Sequence, residues 1–264
     1  MAEAYFKAVK ITEKVYWVGA IDWTVRNFHG YLTGRGSTYN AYLVIDEKIT
    51  LIDSVKSPFV PELLSRIRSV IGDVTKIDYI VSNHAEPDHS SGLPATIEAI
   101  KPEKFFASEI GAKTLNAYYG DLGVIPVKTG ESLKLGKGNL AFVETKMLHW
   151  PDSMVTYLDS EKILFSQDAF GMHLAGSGRF GEDYSKPVLE YEARRYFANI
   201  LNHLSPKVIE LLDALPGLNL DIKILAPDHG PVWRRPEDIK WIIELYRECA
   251  LQIPTPRAIV VFST

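Results

Sequence analysis

The sequence predicts an α/β fold of the layered α+β kind, in which sheets and helices stack on one another. Short runs rich in β-branched and aromatic residues alternate with longer segments whose apolar residues recur every three or four positions. Most of the helical segments fall between groups of strands rather than after every strand, which favours layers over a strictly alternating parallel sheet. At 264 residues the chain is also long enough to bury a sizeable core.

The predicted elements follow one another along the whole chain. The strands are short apolar runs, as expected for segments that lie on a pleated and half-buried surface, and they lie at residues 15–18, 39–45, 49–52, 79–81, 104–106, 140–145, 154–157, 163–165 and 222–225. The helices carry an apolar stripe with helical spacing, and they lie at residues 61–70, 93–100, 110–118, 189–204, 208–215 and 236–251.

Composition excludes several classes of protein. A net charge of −4 gives no general basic field, so nucleic acid is not expected as a partner. The single cysteine, Cys249, excludes an internal disulfide framework and a site built from several cysteines. The N-terminus lacks the pattern of a signal peptide, and no apolar run approaches the ~20 residues of a membrane span. We therefore expect no membrane association and a cytoplasmic location.

The last twelve residues differ from the rest. Ile253-Pro-Thr-Pro256 interrupts the preceding helix, because proline removes a backbone donor and fixes φ. Residues 257–264 then form an apolar run that predicts a new β-strand. We expect residues 253–256 to be a linker and the tail to be either an edge strand or the start of a further domain.

Four side chains of metal-ligand type lie within six residues, in the run His84-Ala-Glu-Pro-Asp-His89. This run follows a predicted strand and precedes a predicted helix start, so its side chains are held at the carboxyl end of a strand. Positions 84, 86 and 88 splay apart in an extended loop, and one such loop can therefore serve two metal ions. The alternative is a polar loop that only caps the next helix, but a cap needs neither two histidines nor a glutamate.

Three further residues stand where an apolar strand gives way to a loop. His149 follows the run 140–148, Asp168 follows 162–167, and His229 follows 222–228. Taken singly, each is more often a residue of the core or of the surface. Together with the run 84–89, they predict a single two-metal site.

These motifs resemble the flavodiiron proteins, which are oxygen and nitric oxide reductases with a metallo-β-lactamase-like fold. The pattern His-x-Glu-x-Asp-His, followed by His, Asp and His after later strands, carries the resemblance, and the likeness continues at residues 19–23, 26–31, 38–43, 148–154 and 227–230. It implies a four-layer αββα sandwich over residues 1–252. It also implies that residues 253–264 are a linker and the first strand of a truncated flavodoxin-like domain.

Carried over by position, the resemblance implies a di-iron centre. One iron would be bound by His84, Glu86 and His149, the second by the set Asp88, His89 and His229, and Asp168 would bridge them. Hydrolytic members of the fold have a second histidine where this chain has Glu86, and they bind zinc. The added anionic oxygen ligand suits iron or manganese, although the ligand set alone does not exclude zinc.

The function implied is reduction of O2 to water, of NO to N2O, or of both. In the family the electrons come from an FMN domain that follows directly, head-to-tail homodimers bring that FMN beside the irons of the other subunit, and rubredoxin or a similar protein is the electron donor. The FMN site is absent from these 264 residues. Two alternatives remain open, namely a stand-alone di-iron sensor that binds oxygen, and a zinc hydrolase acting on a thioester or lactam.

Residues near the expected centre are suggested in the same way. His29 and Tyr196 match pocket positions of the family, where each would face the irons, and Tyr196 would donate a hydrogen bond to a bound oxygen species. Asp53 ends a predicted strand, where it either accepts a proton from a ligand histidine or is an ordinary aspartate of a strand-end turn. His173 and His203 match no ligand position, and we expect them to be structural or exposed.

Overall fold

The computed structural model describes residues 5–218 and 220–254. Its strands are numbered in chain order. Those of the first half are β1 (Val9–Lys10), β2 (Val15–Trp17), β3 (Ala20–Asp22), β4 (Asn27–Phe28), β5 (Tyr31–Leu32), β6 (Ser37–Tyr39), β7 (Tyr42–Val44), β8 (Thr50–Ile52), β9 (Tyr79–Ser82), β10 (Lys104–Ser108) and β11 (Val124–Val127). Those of the second half are β12 (Ser132–Lys134), β13 (Asn139–Glu144), β14 (Met154–Leu158), β15 (Ile163–Gln167) and β16 (Ile224–Pro227).

The helices follow the same numbering. They are α1 (Val60–Ile71), α2 (Pro87–Ser90), α3 (Leu93–Ile100), α4 (Glu109–Tyr119), α5 (Lys186–Tyr196), α6 (Ser205–Ala214) and α7 (Pro236–Leu251). Local chemistry sets several of their ends. Ser108 caps α4 by accepting a hydrogen bond from the Gly111 amide at 3.0 Å. The helix α1 ends at Gly72, which adopts a φ of +75°.

Two large sheets form the middle of the molecule. The first contains seven strands in the order β1-β2-β7-β8-β9-β10-β11, and the second contains five in the order β12-β13-β14-β15-β16. The strands β8 to β11 are parallel, as are β15 and β16, and the remaining pairs of both sheets are antiparallel. Two small ladders, β3-β6 and β4-β5, lie outside these sheets.

Three apolar clusters hold the layers together. Between the sheets, Trp17, Tyr42 and Ile52 of the first sheet belong to one cluster with Phe142 and Phe165 of the second. A second cluster joins the outer face of the first sheet to α1, α3 and α4, and a third joins the second sheet to α5, α6 and α7. Each fully buried large apolar side chain contributes about 1.5–3 kcal/mol. The order helix, sheet, sheet, helix confirms the αββα sandwich.

Two predicted elements are wrong in detail. The predicted strand 39–45 is divided between β6 and β7, which belong to different sheets. The chain leaves one sheet at Asn40, whose amide donates to the Asp228 carbonyl and whose side chain donates to the carbonyls of Pro227 and Gly230. The predicted helix 189–204 ends as an α-helix at Tyr196 and continues as a wider π-turn, Phe197–Leu201, and a 3-10 turn, Asn202–Leu204.

The predicted terminal strand lies outside the described residues. Residues 253 and 254 have no regular structure, and residues 255–264 are not described. The division at residue 252 therefore stays a prediction.

Candidate metal centre

Loops from both sheets meet at one edge of the sandwich and bring the seven predicted ligands together. His84 and Glu86 lie in the loop after β9, and Asp88 and His89 lie in the short helix α2. His149 is in the loop between β13 and β14, Asp168 directly follows β15, and His229 follows β16. All seven are at least mostly buried.

The first group of side chains surrounds Glu86. The Nε2 atom of His149 lies 2.9 Å from Glu86 Oε2 and 3.0 Å from Asp168 Oδ2. The Nε2 atom of His84 lies 3.2 Å from the same glutamate oxygen and 3.4 Å from the same aspartate oxygen. Two imidazole nitrogens and two carboxylate oxygens thus converge on one point, which is a suitable donor set for a transition metal.

The second group surrounds Asp88. Its Oδ2 atom lies 3.1 Å from His229 Nε2 and 3.2 Å from His89 Nε2. These two histidine nitrogens lie 3.4 Å and 3.2 Å, respectively, from Asp168 Oδ1. Asp168 therefore directs one oxygen to each group, as a carboxylate that bridges two metal ions does.

The polar atoms of the second group are buried without hydrogen-bond partners among the described residues. They include both carboxylate oxygens of Asp88, Oδ1 of Asp168, and Nε2 of both His89 and His229. Each buried polar atom left unpaired costs about 1–3 kcal/mol. A bound cation would remove this cost, so these residues fit a metal ion.

The acidic and basic side chains of the cluster shift one another's pKa values. Burial lowers the pKa of His89, but the negative charges of Asp88 and Asp168 outweigh it and raise that pKa to about 10. Burial raises the pKa of Asp168, but His89, His149 and His84 hold it well below the ordinary range. In the metal-free chain His89 therefore carries a proton, which a metal ion must displace when it binds.

Oxygen acceptors orient two of the ligand histidines, and a carboxylate lies near the ring of a third. The Oδ2 atom of Asp152 lies 3.2 Å from His84 Nδ1 and also accepts a hydrogen bond from the Ala85 amide at 2.6 Å. The Thr38 carbonyl accepts from Nδ1 of His229, and Asp228 Oδ2 lies 3.7 Å from Nδ1 of His89. Such contacts leave Nε2 of each ring free for a metal.

Sequence reasoning missed these acceptors, and of the two roles open for Asp53 the structure shows the one in the turn. The Asp53 carboxylate accepts hydrogen bonds from the backbone amide and the side-chain amide of Asn83, at 2.6 and 2.7 Å, and forms none with a ligand histidine. It therefore fixes the start of the ligand loop rather than a histidine ring. Burial raises the pKa of Asp53 to about 6, although Asn83 and the nearby histidines oppose this.

The position of His149 also differs from the expectation that a strand leads directly to it. The strand β13 ends at Glu144, and His149 lies in the turn between β13 and β14. Gln167 holds this turn beside Asp168, because its side-chain amide donates to the Leu148 carbonyl and its Oε1 accepts from the Asp168 amide. His149 is thus positioned by the hydrogen bonds of the Gln167 side chain and not by the end of a strand.

His29 and Tyr196 both lie at the pocket. The Nδ1 atom of His29 is 3.3 Å from Glu86 Oε1, and its Nε2 atom is 3.8 Å from Asp88 Oδ2. Burial lowers the pKa of His29, but the nearby carboxylates of Asp88 and Glu86 outweigh it and raise that pKa to about 9. Tyr196 is buried, and burial together with the charge of Asp168 raises its pKa well above the usual value.

His173 also lies here, although the sequence suggested no role for it beyond structure. Its ring packs on that of His229 with centroids 4.5 Å apart and stacks on His29 with centroids 5.1 Å apart. It is 1% exposed, and burial and the neighbouring His229 lower its pKa well below the usual value. His203, by contrast, is exposed.

The chain is similar to several known proteins. The sequence profile of the ODP family beta lactamase matches residues 38–230. The chain is 45% identical over 261 residues to the rubredoxin-oxygen oxidoreductase of Megalodesulfovibrio gigas, an alignment that covers 98% of this chain and 65% of that protein. It is 42% identical over 260 residues to the nitric oxide reductase of Moorella thermoacetica, covering 97% of this chain and 64% of that protein.

A solved structure has the same fold. The flavodiiron protein of Giardia intestinalis superimposes with a TM-score of 0.88 at 38% sequence identity, over 93% of this chain and 60% of that one. The chain thus spans roughly two thirds of the length of the relatives that it matches. Within residues 5–218 and 220–254, no helix has the length and apolar character needed to cross a bilayer.

Proposed function

The chain belongs to the flavodiiron protein family through its β-lactamase-like domain, and we propose that it is the di-iron catalytic domain of an oxygen or nitric oxide reductase. The observation that carries this proposal is the position of Asp168. Its two carboxylate oxygens face two separate groups of buried ligand-type side chains. Two metal ions held on either side of one shared carboxylate would form a two-metal site, between whose ions a small substrate can bind.

Each iron would have three residues of its own and share Asp168. The first would be held by His84, Glu86 and His149, which form one convergent group. The second would be held by the other group, Asp88, His89 and His229. Two ferrous ions in these positions would supply electrons and open coordination positions for O2 or NO.

The donor set supports iron over zinc. Three of the seven side chains are carboxylates, and Glu86 lies where the hydrolytic members of the fold have a histidine. Anionic oxygen ligands favour iron and manganese, and zinc more often takes nitrogen and sulfur ligands. The family relationship supports the same choice.

The chain's own residues would deliver protons to the pocket and donate a hydrogen bond to the bound substrate. Both reductions consume protons, and His29 stands between Glu86 and Asp88 with its side chain 12% exposed, so it connects the pocket with the solvent. We infer that its ring nitrogens deliver protons to the pocket. Tyr196, which is fully enclosed, would keep its phenolic proton and donate a hydrogen bond to the bound substrate.

The electrons would come from outside the described residues. The names of the matched relatives point to rubredoxin as an electron source for one of them. We propose a flavin-bearing domain or protein as the immediate donor to this chain, a head-to-tail homodimer as the assembly that brings it close, and the cytoplasm as the location. Reduction of O2 to water requires four electrons and four protons, and reduction of two NO to N2O and water requires two of each.

The test is turnover with a supplied donor. The chain is loaded with Fe²⁺ under anaerobic conditions and mixed with a reduced, FMN-containing flavodoxin-like protein, and an electrode records the consumption of O2 or NO. We expect consumption that depends on both iron and donor, and the matched variant Asp168→Asn should be inactive. Oxygen binding without consumption would support a sensor instead, and hydrolysis of a thioester or lactam by the zinc-loaded chain would support a hydrolase.

A further inference from the structure

One asparagine, which lies two residues before β7, holds the loop that carries His229. The backbone amide of Asn40 donates to the Asp228 carbonyl at 2.7 Å. Its side-chain NH2 group donates to the carbonyls of Pro227 and Gly230, at 2.7 and 3.0 Å. These three carbonyls stand directly before and after His229, and both Asn40 and His229 are fully buried. The course of the backbone around His229 is therefore fixed by a residue distant in the sequence.

The orientation of the Asn40 amide is fixed in turn by Trp17. The indole Nε1 atom donates a hydrogen bond to Oδ1 of Asn40 at 2.8 Å, and the Trp17 side chain is 1% exposed. A flipped amide would turn its NH2 group toward the indole N–H and its oxygen toward the two carbonyls, and none of these pairs can form a hydrogen bond. The indole N–H thus selects the orientation in which Asn40 supports the loop.

Two arginines lie over the Trp17 ring. The Cζ atoms of Arg66 and Arg179 lie 4.7 and 4.6 Å from the ring centroid, as in cation–π contacts. Arg179 belongs to the glycine-rich loop of residues 176–181, and its carbonyl accepts a hydrogen bond from the Val232 amide at 2.8 Å. These contacts restrain the plane of the indole ring and therefore the direction of its N–H group.

We propose that Trp17 and Asn40 are positioning residues for His229. Through Asn40, the indole N–H would keep the loop in the place where His229 Nε2 lies 3.1 Å from Asp88 Oδ2 and 3.4 Å from Asp168 Oδ1. The inference rests on the proposed function only in taking His229 as a metal ligand, and it requires neither an electron donor nor turnover. The affinity for one metal ion then depends on a hydrogen bond that is outside the ligand groups.

Trp17→Phe tests this role, because phenylalanine keeps an aromatic ring under the two arginines and lacks the N–H group. Titration of the metal-free chain with Fe²⁺ under anaerobic conditions, against a competing chelator, gives the affinity for each ion. We expect one ion to be bound about tenfold or more weakly, as when the partner of a metal-binding histidine is lost. The other ion should keep its affinity, since His84, Glu86 and His149 lie in loops that receive none of these hydrogen bonds.

Asn40→Asp should weaken the same ion. Aspartate has the same shape but at most one proton to donate, so it cannot serve both carbonyls. Asn40→Ala removes the amide altogether, and adding Trp17→Phe to it should cost little further affinity if Trp17 acts through Asn40. Trp241→Phe is the matched control, because Trp241 also lies under a cation, Lys186 Nζ, and takes part in none of these hydrogen bonds. This control should bind both ions like the unmodified chain.

The inference would be overturned by unchanged affinity for both ions in Trp17→Phe, whether or not urea unfolding shows a loss of stability. An equal weakening of both ions, or a full additional loss when Trp17→Phe is combined with Asn40→Ala, would also overturn it. If Asn40→Ala does not fold, Trp17→Phe and Asn40→Asp decide. An unmodified chain that binds two irons but reduces neither O2 nor NO would refute the proposed function and leave this inference standing.

Discussion

Asp152 should control how tightly one of the two metal ions is held. Its Oδ2 atom faces Nδ1 of His84 at 3.2 Å and accepts the Ala85 amide at 2.6 Å, so a single oxygen orients the ligand ring and the ligand loop. Replacing such a partner of a metal-binding histidine lowers metal affinity about 10–100-fold, which corresponds to about 1.4–2.8 kcal/mol. Asp152→Ala should show this full effect.

Asp152→Asn should show a smaller loss. The second carboxylate oxygen of Asp152, Oδ1, has no hydrogen-bond partner among the described residues, so an asparagine can place its single oxygen at the position of Oδ2 and turn its NH2 group the other way. Both hydrogen bonds would then survive without the negative charge. The unmodified chain should therefore bind the metal most tightly, Asp152→Asn less tightly and Asp152→Ala least tightly.

The assay is an anaerobic titration of the metal-free chain with Fe²⁺ in the presence of a competing chelator. We expect one ion to be bound more weakly in Asp152→Ala and the other to keep its affinity, because His89 and His229 do not contact Asp152: His89 lies near Asp228, and His229 donates to the Thr38 carbonyl. Asp159→Asn is the charge-matched control, since Asp159 accepts hydrogen bonds from Asn139 in an exposed turn. Two ions bound by Asp152→Ala with unchanged affinity would refute this account of His84.

Three further predictions concern the bridge, the loop before His29 and the packing beside α2. Asp168→Asn should reduce the iron content below two ions per chain, because an amide cannot present an anionic oxygen to each group; metal analysis measures this, and full loading would contradict it. Asp22→Ala should lower the free energy of unfolding by about 1–3 kcal/mol at pH 7, since the carboxylate accepts hydrogen bonds from Thr24, Val25 and Tyr39. Burial raises the pKa of Asp22, but these hydrogen bonds outweigh it and lower that pKa in the folded chain. The stabilisation by Asp22 is therefore present above the ordinary pKa of about 3.9 and is lost as the pH falls through the pKa of the folded chain. The urea unfolding curves of the two proteins should converge in acid, and a difference that stays constant with pH would contradict this role of Asp22. Gly92→Ala should cost about 1–3 kcal/mol, because its Cβ would lie 2.3 Å from the Val55 carbonyl oxygen, and an unchanged melting temperature would be inconsistent with that contact.

The sequence predicts most of the layers and the cluster of ligand-type residues, because both are encoded locally. The run from His84 to His89 concentrates four donors in one loop, and Asp168 and His229 stand at or just past the ends of apolar strands. Ordinary strand and helix geometry brings such positions to one edge of a layered fold. Contacts between residues far apart in the sequence are therefore not needed to predict the layers or this cluster.

The roles of Asp152 and His173 depend on contacts that sequence spacing does not show. Asp152 lies 68 residues from His84, and His173 lies 136 residues from Ser37, so neither pairing has a local pattern. The sequence leaves the role of Asp53 open for the same reason, since a strand-end aspartate faces whichever loop the neighbouring strand supplies. Here that loop begins at Asn83.

The break at Asn40 likewise has no local signal. Residues 39–45 are apolar enough for one strand, and only the hydrogen bonds from Asn40 to the loop around Pro227 divide them between two sheets. A tertiary contact overrides local strand propensity at this point. The same contact holds the β16 loop, which carries His229, against the first sheet.

The most direct test of the central claim is X-ray absorption spectroscopy of the iron-loaded chain, combined with metal analysis. If Asp168 bridges the two groups, the chain will bind two irons, and the spectrum will contain an Fe–Fe scattering path at about 3.5–4 Å. Six-coordinate or five-coordinate shells of nitrogen and oxygen without sulfur are expected around each iron. A single iron per chain, or two irons without a short Fe–Fe path, would contradict the bridged di-iron centre.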